Sequence, residues 1–311
     1  MKNTKEKRQK SLKELTEQLE QSIRSFMDGD RYKEFLGKMS RFHRYSLNNQ
    51  ILIAVQKPEA TLCASYTTWK KQGRYVKKGE KGIRILCPAP YKVQALENEK
   101  DPETGKDRLM KDGKPYQKKV EVVVPAYKVG YTYDISQTDG EKLPELVSIL
   151  EGSLDNSQKV LRDALLEISP VPVFFHPVPG NANGFYDRKE REIVVDERLP
   201  EMQALKTLIH EMGHAILHNA ENKVQADSAT REVQAESVAY IVCQYFGIDT
   251  SEYSFGYISG WSSKRDVPEL RMSLDIIRTT ANDIIGQVEQ ILAKTKQPEE
   301  KMEIFRKTAV M

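Results

Sequence analysis

The segment Thr207-Leu-Ile-His-Glu-Met-Gly-His-Ala-Ile-Leu-His218 constrains this chain more than any other, because its spacing answers to reaction chemistry as well as to folding. His210 and His214 are four residues apart, so on an α-helix they project from one face a turn apart and both imidazoles can ligate one metal ion. Glu211 lies beside them, where a carboxylate can take the proton of a water that zinc has acidified to a pKa of about 7. Pro200 suits a first turn, and Met202, Leu205, Leu208, Ile209, Met212 and Ile216 supply the apolar face that would bury such a helix. A catalytic Zn2+ site needs a third protein ligand and an open position. Glu232 and Glu236, one turn apart in a second expected helix over 229–243, are both candidates. Glu232 is favoured as the ligand, with Glu236 accepting the free N–H of a ligating histidine. His218 falls about 80° round the helix from His210 and reads as a structural histidine.

Composition limits the alternatives. A chain of 311 residues with 39% hydrophobic and 30% charged residues has room for two cores and the balance of a globular protein. Runs of about 18 apolar residues are absent, and Met1 to Lys10 is charged, so neither a spanning helix nor a leader is expected. Cys63, Cys87 and Cys243 are too few and too scattered for a disulfide framework or a thiolate zinc site, which points to the cytoplasm. The net charge of +3 conceals an asymmetry. Residues 1–140 hold 29 Lys and Arg against 18 Asp and Glu, whereas 141–311 hold 19 against 27. A basic first half suits a polyanion, and an acidic half with a metal motif suits an enzyme domain.

Residues 5 to 57 read as amphipathic helices broken at Asp28-Gly-Asp30. The segment 40–53 mixes basic, aromatic and amide side chains and supplies Arg41, Arg44, Tyr45 and Asn48 as candidates for contact with nucleic acid. Glycine-punctuated turns follow, and residues 66–84 hold seven basic residues and one acid. Lys70, Lys71, Arg74, Lys77, Lys78 and Lys81 would neutralise phosphates, while Tyr66, Trp69 and Tyr75 would offer stacking surfaces, if the aromatics are not core. Residues 96–119 are polar and predict a protruding hairpin or mobile loop, and Val120 to Val129 predicts a strand. Beyond a connector at 139–152, a helix over 156–168 and short strands at 171–176, 184–187 and 191–196 lead into the histidine helix. An edge strand beside that helix can align an extended peptide. A helix over 270–292 and a charged tail complete the pattern.

Taken together, Tyr45-Ser-Leu-Asn-Asn-Gln50, Tyr66, Trp69, Gly73, Val76-Lys-Lys-Gly-Glu-Lys-Gly82, Asp134-Ile-Ser-Gln-Thr138, His210 to His214 and Glu232-Val-Gln-Ala-Glu236 resemble the ArdC-type antirestriction proteins of mobile elements. The resemblance implies an α+β chain in which residues 1–140 form a mixed α/β domain that binds single-stranded DNA and 141–152 a linker. Residues 153–311 would then form a zincin-like metallopeptidase domain built on the HExxH helix. Residues 209–218 also resemble metallopeptidases that cut phage-type repressors. Two other functions therefore stay open: a regulatory protease cleaving a repressor-like protein, and a non-enzymatic DNA-binding protein with a structural zinc.

Overall fold

A computed structural model describes residues 2–143, 154–219 and 226–295. Three helices open the chain: α1 (Lys2–Ser25), α2 (Gly29–Arg41) and α3 (Leu47–Gln56). Leu15, Leu19 and Ile23, and then Tyr32, Phe35, Leu36 and Met39, repeat at three and four, and all are buried. Next come β1 (Cys63–Ala64), α4 (Tyr66–Lys71), β2 (Arg74–Val76), β3 (Ile83–Pro88), β4 (Tyr91–Asn98), β5 (Gln117–Val124), β6 (Tyr127–Asp134) and β7 (Thr138–Gly140). The order β1-β6-β3 makes a small antiparallel sheet whose inner face, with Ile83 and Ile85, packs with Phe42, Ile53, Ala60 and Cys63 into a minor core. Strands β4 and β5 pair in full register as a separate two-stranded arm, so the polar stretch around 96–119 is the outer part of a hairpin. The single strand expected over 120–129 is instead two, β5 and β6, parted at Pro125, which has no N–H to continue a ladder.

The second half contains α5 (Leu154–Ile168), β8 (Val173–Phe175), β9 (Gly184–Asp187), β10 (Glu192–Val195), α6 (Glu201–Leu217), α7 (Ser228–Tyr245), α8 (Ile258–Ser262) and α9 (Val267–Thr295). Here β10 is central, parallel to β8 and antiparallel to β9, which leaves β9 at the edge. The β9–β10 turn is tight: the Asp187 carboxylate accepts from the Lys189 and Glu190 amides, and Arg191 takes the left-handed conformation at φ 57°. Helix α7 starts at an Asp227 cap, which accepts from the Thr230 amide, and is buried nearly all round, as befits a central helix.

The main core does not stop at residue 140. It joins α1, α2 and α3 to α6, α7 and α9, and a buried hydrogen bond of 2.8 Å links the Tyr32 hydroxyl in α2 with Ser237 Oγ in α7. Most of the connector expected at 141–152 lies outside the described residues, as does the charged tail beyond Thr295. Among the described residues no helix is long and apolar enough to cross a membrane.

Candidate functional site

Helix α6 lies across β9 and β10 on one side and against α7 on the other, buried through Leu205, Leu208, Ile209, Met212 and Ala215. The approach of α6 to α7 depends on Gly213. A Cβ at that position would stand 3.3 Å from Ala235 Cα, so a glycine between the two histidines meets an alanine between the two glutamates. At that separation the side chains of His210 and His214 reach those of Glu232 and Glu236.

Three potential ligand atoms converge there. The Nε2 atoms of His210 and His214 are 3.1 Å apart, and the Glu232 carboxylate oxygens stand 3.7 and 3.6 Å from them, respectively. Tetrahedral zinc with bonds of about 2.1 Å separates its ligand atoms by about 3.4 Å, which these spacings match. Glu236 stands back from the cluster, with Oε2 3.2 Å from Nδ1 of His210. When His210 donates a hydrogen bond from its Nδ1–H to Glu236, its Nε2 presents a lone pair to the cluster. An electron-rich cluster of this kind suits a divalent cation. The charge balance agrees. Burial works against a proton on His210, but the hydrogen bond to Glu236 and the carboxylates of Glu211, Glu236 and Glu232 outweigh it and hold the pKa above the usual histidine value. His214, whose Nε2 faces the carboxylate at 3.6 Å, is the main cause that holds Glu232 below the ordinary glutamate range.

Glu211 is 8% exposed, and burial pushes its pKa above the ordinary glutamate value. The neighbouring histidines and the backbone N–H of Tyr186, which donates to the carboxylate, oppose that rise. The acid is thereby tied to edge strand β9. Two clefts meet at His210 and Glu211. One is bounded by Phe185, Tyr186, Arg188 and Arg231, the other by Asn183, Gln203, Tyr253 and the Lys206–Glu252 ion pair at 3.2 Å. Gly184 allows the strand to run this close to the helix, since a Cβ there would meet Val194 O at 2.6 Å and Thr207 Cγ2 at 2.7 Å. His218 is buried away from the cluster, with Nδ1 3.0 Å from His214 Nδ1 and Nε2 2.9 Å from Gln234 Oε1. Burial lowers its pKa to about 4.

The candidates in the first half scatter. Lys70 and Lys71 on α4, Lys77, Lys78 and Lys81 on the following turns, Arg41 at the end of α2, and Tyr66 are exposed. Trp69 needs correction: it is fully buried and donates its indole N–H to Tyr133 O at 2.8 Å, so it is a core residue and offers no face to a base. Arg44 pairs with Glu289 at 2.9 Å and the Asn48 carbonyl accepts from Arg271 at 2.6 Å, so both are engaged in holding α3 and its preceding turn to α9. The Tyr45 hydroxyl donates to Cys63 O at 2.9 Å, and Arg74 binds Thr138 Oγ1 and the carbonyls of Thr138 and Glu141, pinning β2 to β7. Tyr127 and Tyr131 on β6, not among the residues singled out from the sequence, are both 56% exposed; spaced by four, an even number, they share one face of the strand. The sequence reading also overlooked Gly213, Ala235 and Gln234, whose only signal was their position between the proposed ligands.

Two stretches of the chain match known families. Residues 5–129 match the N-terminal domain of anti-restriction factor ArdC, and residues 166–254 match the IrrE N-terminal-like domain, a peptidase family. The Bacillus anthracis protein pXO2-81, described as uncharacterized, is 29% identical over 326 residues covering 96% of this chain, which spans about half (54%) of that relative's length. Two crystal structures of the antirestriction ArdC protein from the R388 plasmid are also similar. The metal-free one has a TM-score of 0.42 and 18% identity over 81% of this chain and 87% of that one. The Mn(II)-bound one has a TM-score of 0.46 and 15% identity over 81% and 86%. The chain thus carries a stretch that matches the N-terminal domain of anti-restriction factor ArdC, followed by one that matches the IrrE N-terminal-like peptidase family.

Proposed function

We propose that this protein binds single-stranded DNA through its first half, hydrolyses a peptide bond at the His210–His214–Glu232 cluster, and serves a mobile element against host restriction in the cytoplasm. One observation carries the enzymatic reading: two histidine nitrogens and a carboxylate converge beside a buried glutamate where two clefts meet. His210, His214 and Glu232 would hold Zn2+, with Glu236 orienting His210. Zinc, when bound, supplies the Lewis acidity that acidifies a water and polarises a carbonyl. Glu211 receives the proton from the attacking water and passes it to the leaving amine, and the Tyr186 N–H keeps its carboxylate in place. Strand β9, at the sheet edge with Phe185 exposed, lays an extended peptide beside the helix by main-chain hydrogen bonds.

For the DNA half, the exposed lysines of α4 and the 77–81 turns supply phosphate contacts, and Tyr66, Tyr75, Tyr127 and Tyr131, each more than half exposed, supply stacking faces. A second reading of the substrate, a repressor-like protein, rests on the resemblance of residues 209–218 to metallopeptidases that cut phage-type repressors. The test is Glu211→Gln, which keeps shape and hydrogen bonding but removes the base. Peptide hydrolysis should fall at least about 10²-fold with DNA affinity unchanged. Undiminished cleavage by a homogeneous preparation would overturn the catalytic reading.

A further inference from the structure

Behind His214 a chain of buried polar groups runs into the core. Gln234 is on α7, one residue beyond Val233 and on the side of the helix that faces both His218 and α9; it is 5% exposed. Its Nε2 donates to Ser273 Oγ at 3.2 Å, and its Oε1 is 2.9 Å from Nε2 of His218, which is 6% exposed. A neutral imidazole carries one N–H. With the amide oxygen as its partner, His218 holds that proton on Nε2, which makes its Nδ1 an acceptor. Nδ1 of His214, 3.0 Å away, must then be the donor. That leaves the lone pair of His214 on Nε2, the atom 3.1 Å from His210 Nε2 and 3.6 Å from Glu232.

The chain has a second self-consistent setting. If the Gln234 amide turns over, its NH2 donates to His218 Nε2, His218 protonates at Nδ1, and His214 accepts there. His214 then carries its proton on Nε2, pointing into the cluster, and cannot ligate. We infer that His218 and Gln234 are positioning residues that select the metal-binding tautomer of His214, doing through an imidazole and an amide what Glu236 does directly for His210. The two ligand histidines are thus held by unlike devices. Glu236 carries only acceptors and enforces one direction, whereas Gln234 enforces it only in one orientation of its amide.

This inference rests on the metal reading of the site, so its test reads the tautomer and the metal separately. The chain has five histidines, few enough to assign in 15N-histidine-labelled intact protein. In metal-free protein at about pH 8, above the imidazole range, His214 should carry its proton on Nδ1. Gln234→Glu, which can only accept from His218, should keep that signature and wild-type zinc affinity. Gln234→Leu removes the acceptor and should give mixed tautomers at His214 and about 10- to 100-fold weaker zinc binding. Zinc affinity unchanged in Gln234→Leu, or a proton on Nε2 of His214 in the metal-free wild type or in Gln234→Glu, would overturn the inference. Should Gln234→Leu not fold, Gln234→Glu decides alone. A wild type that binds no zinc while His214 shows the Nδ1 proton would sink the metal reading and leave the tautomer chain standing.

Discussion

The metal cluster and the basic first half differ in how tightly function restricts position. Around His210 every side chain has a distance to satisfy: two nitrogens 3.1 Å apart, a carboxylate within 3.7 Å of both, and a second carboxylate 3.2 Å behind. In the first half, binding a flexible polyanion asks only for positive charge and some exposed rings, so residue type alone does not separate binding residues from framework. Trp69, Arg44 and Asn48 have the composition of a DNA contact and serve as core and interhelix ties. Lys78 and Lys81, in the same composition, face solvent.

The sharpest way to break that contrast is Trp69. Its removal should cost about 3–5 kcal/mol of stability, as for a large buried aromatic, and DNA affinity should fall only as far as folding does. A Trp69→Ala protein with native melting temperature and weakened DNA binding would restore the ring as a stacking surface.

His43 probes the seam between the halves, where its ring meets Tyr245 of α7 at a centroid distance of 4.7 Å. Burial, with Arg44 adding to it, lowers its pKa from 6.5 to about 4. The folded value lies below the unfolded one, so protonation favours unfolding. Stability is complete above about pH 6.5 and is lost as the pH falls towards 4, by up to about 3 kcal/mol. His43→Gln should flatten urea-denaturation midpoints across that window relative to wild type. Equal slopes in both proteins would mean that His43 is not buried neutral at this seam.

The smallest effect should come from the exposed lysines. Replacing Lys77, Lys78 and Lys81 together should leave melting unchanged and reduce the salt slope of single-strand binding by about 2, since each phosphate contact contributes about 0.7. An unchanged slope would move the DNA path off the 77–81 turn.

The uneven legibility of the sequence follows from the same contrast. Helices α1, α2, α6 and α9 show as three-and-four periodicity because each buries a stripe, and the β9–β10 hairpin shows through its turn residues. Helix α4 does not show, because six residues carry too little periodicity. The join of α1–α3 to α7 and α9 was hidden for another reason: an apolar stripe announces that it will be covered, not by what. Within the site, His210, Glu211 and His214 are bound by local spacing, whereas the Gly213–Ala235 approach and the Gln234–Ser273 link need two helices placed side by side.

The central claim is that His210, His214 and Glu232 form a cation site that Glu211 serves without holding it. Zinc analysis of the intact chain after dialysis tests this most directly. Wild type and Glu211→Gln should each retain about one zinc per chain, and the His210→Ala, His214→Ala double variant should retain none, with Glu232→Gln losing more than Glu236→Gln. Stoichiometric zinc in the double variant, or its loss from Glu211→Gln, would contradict the account.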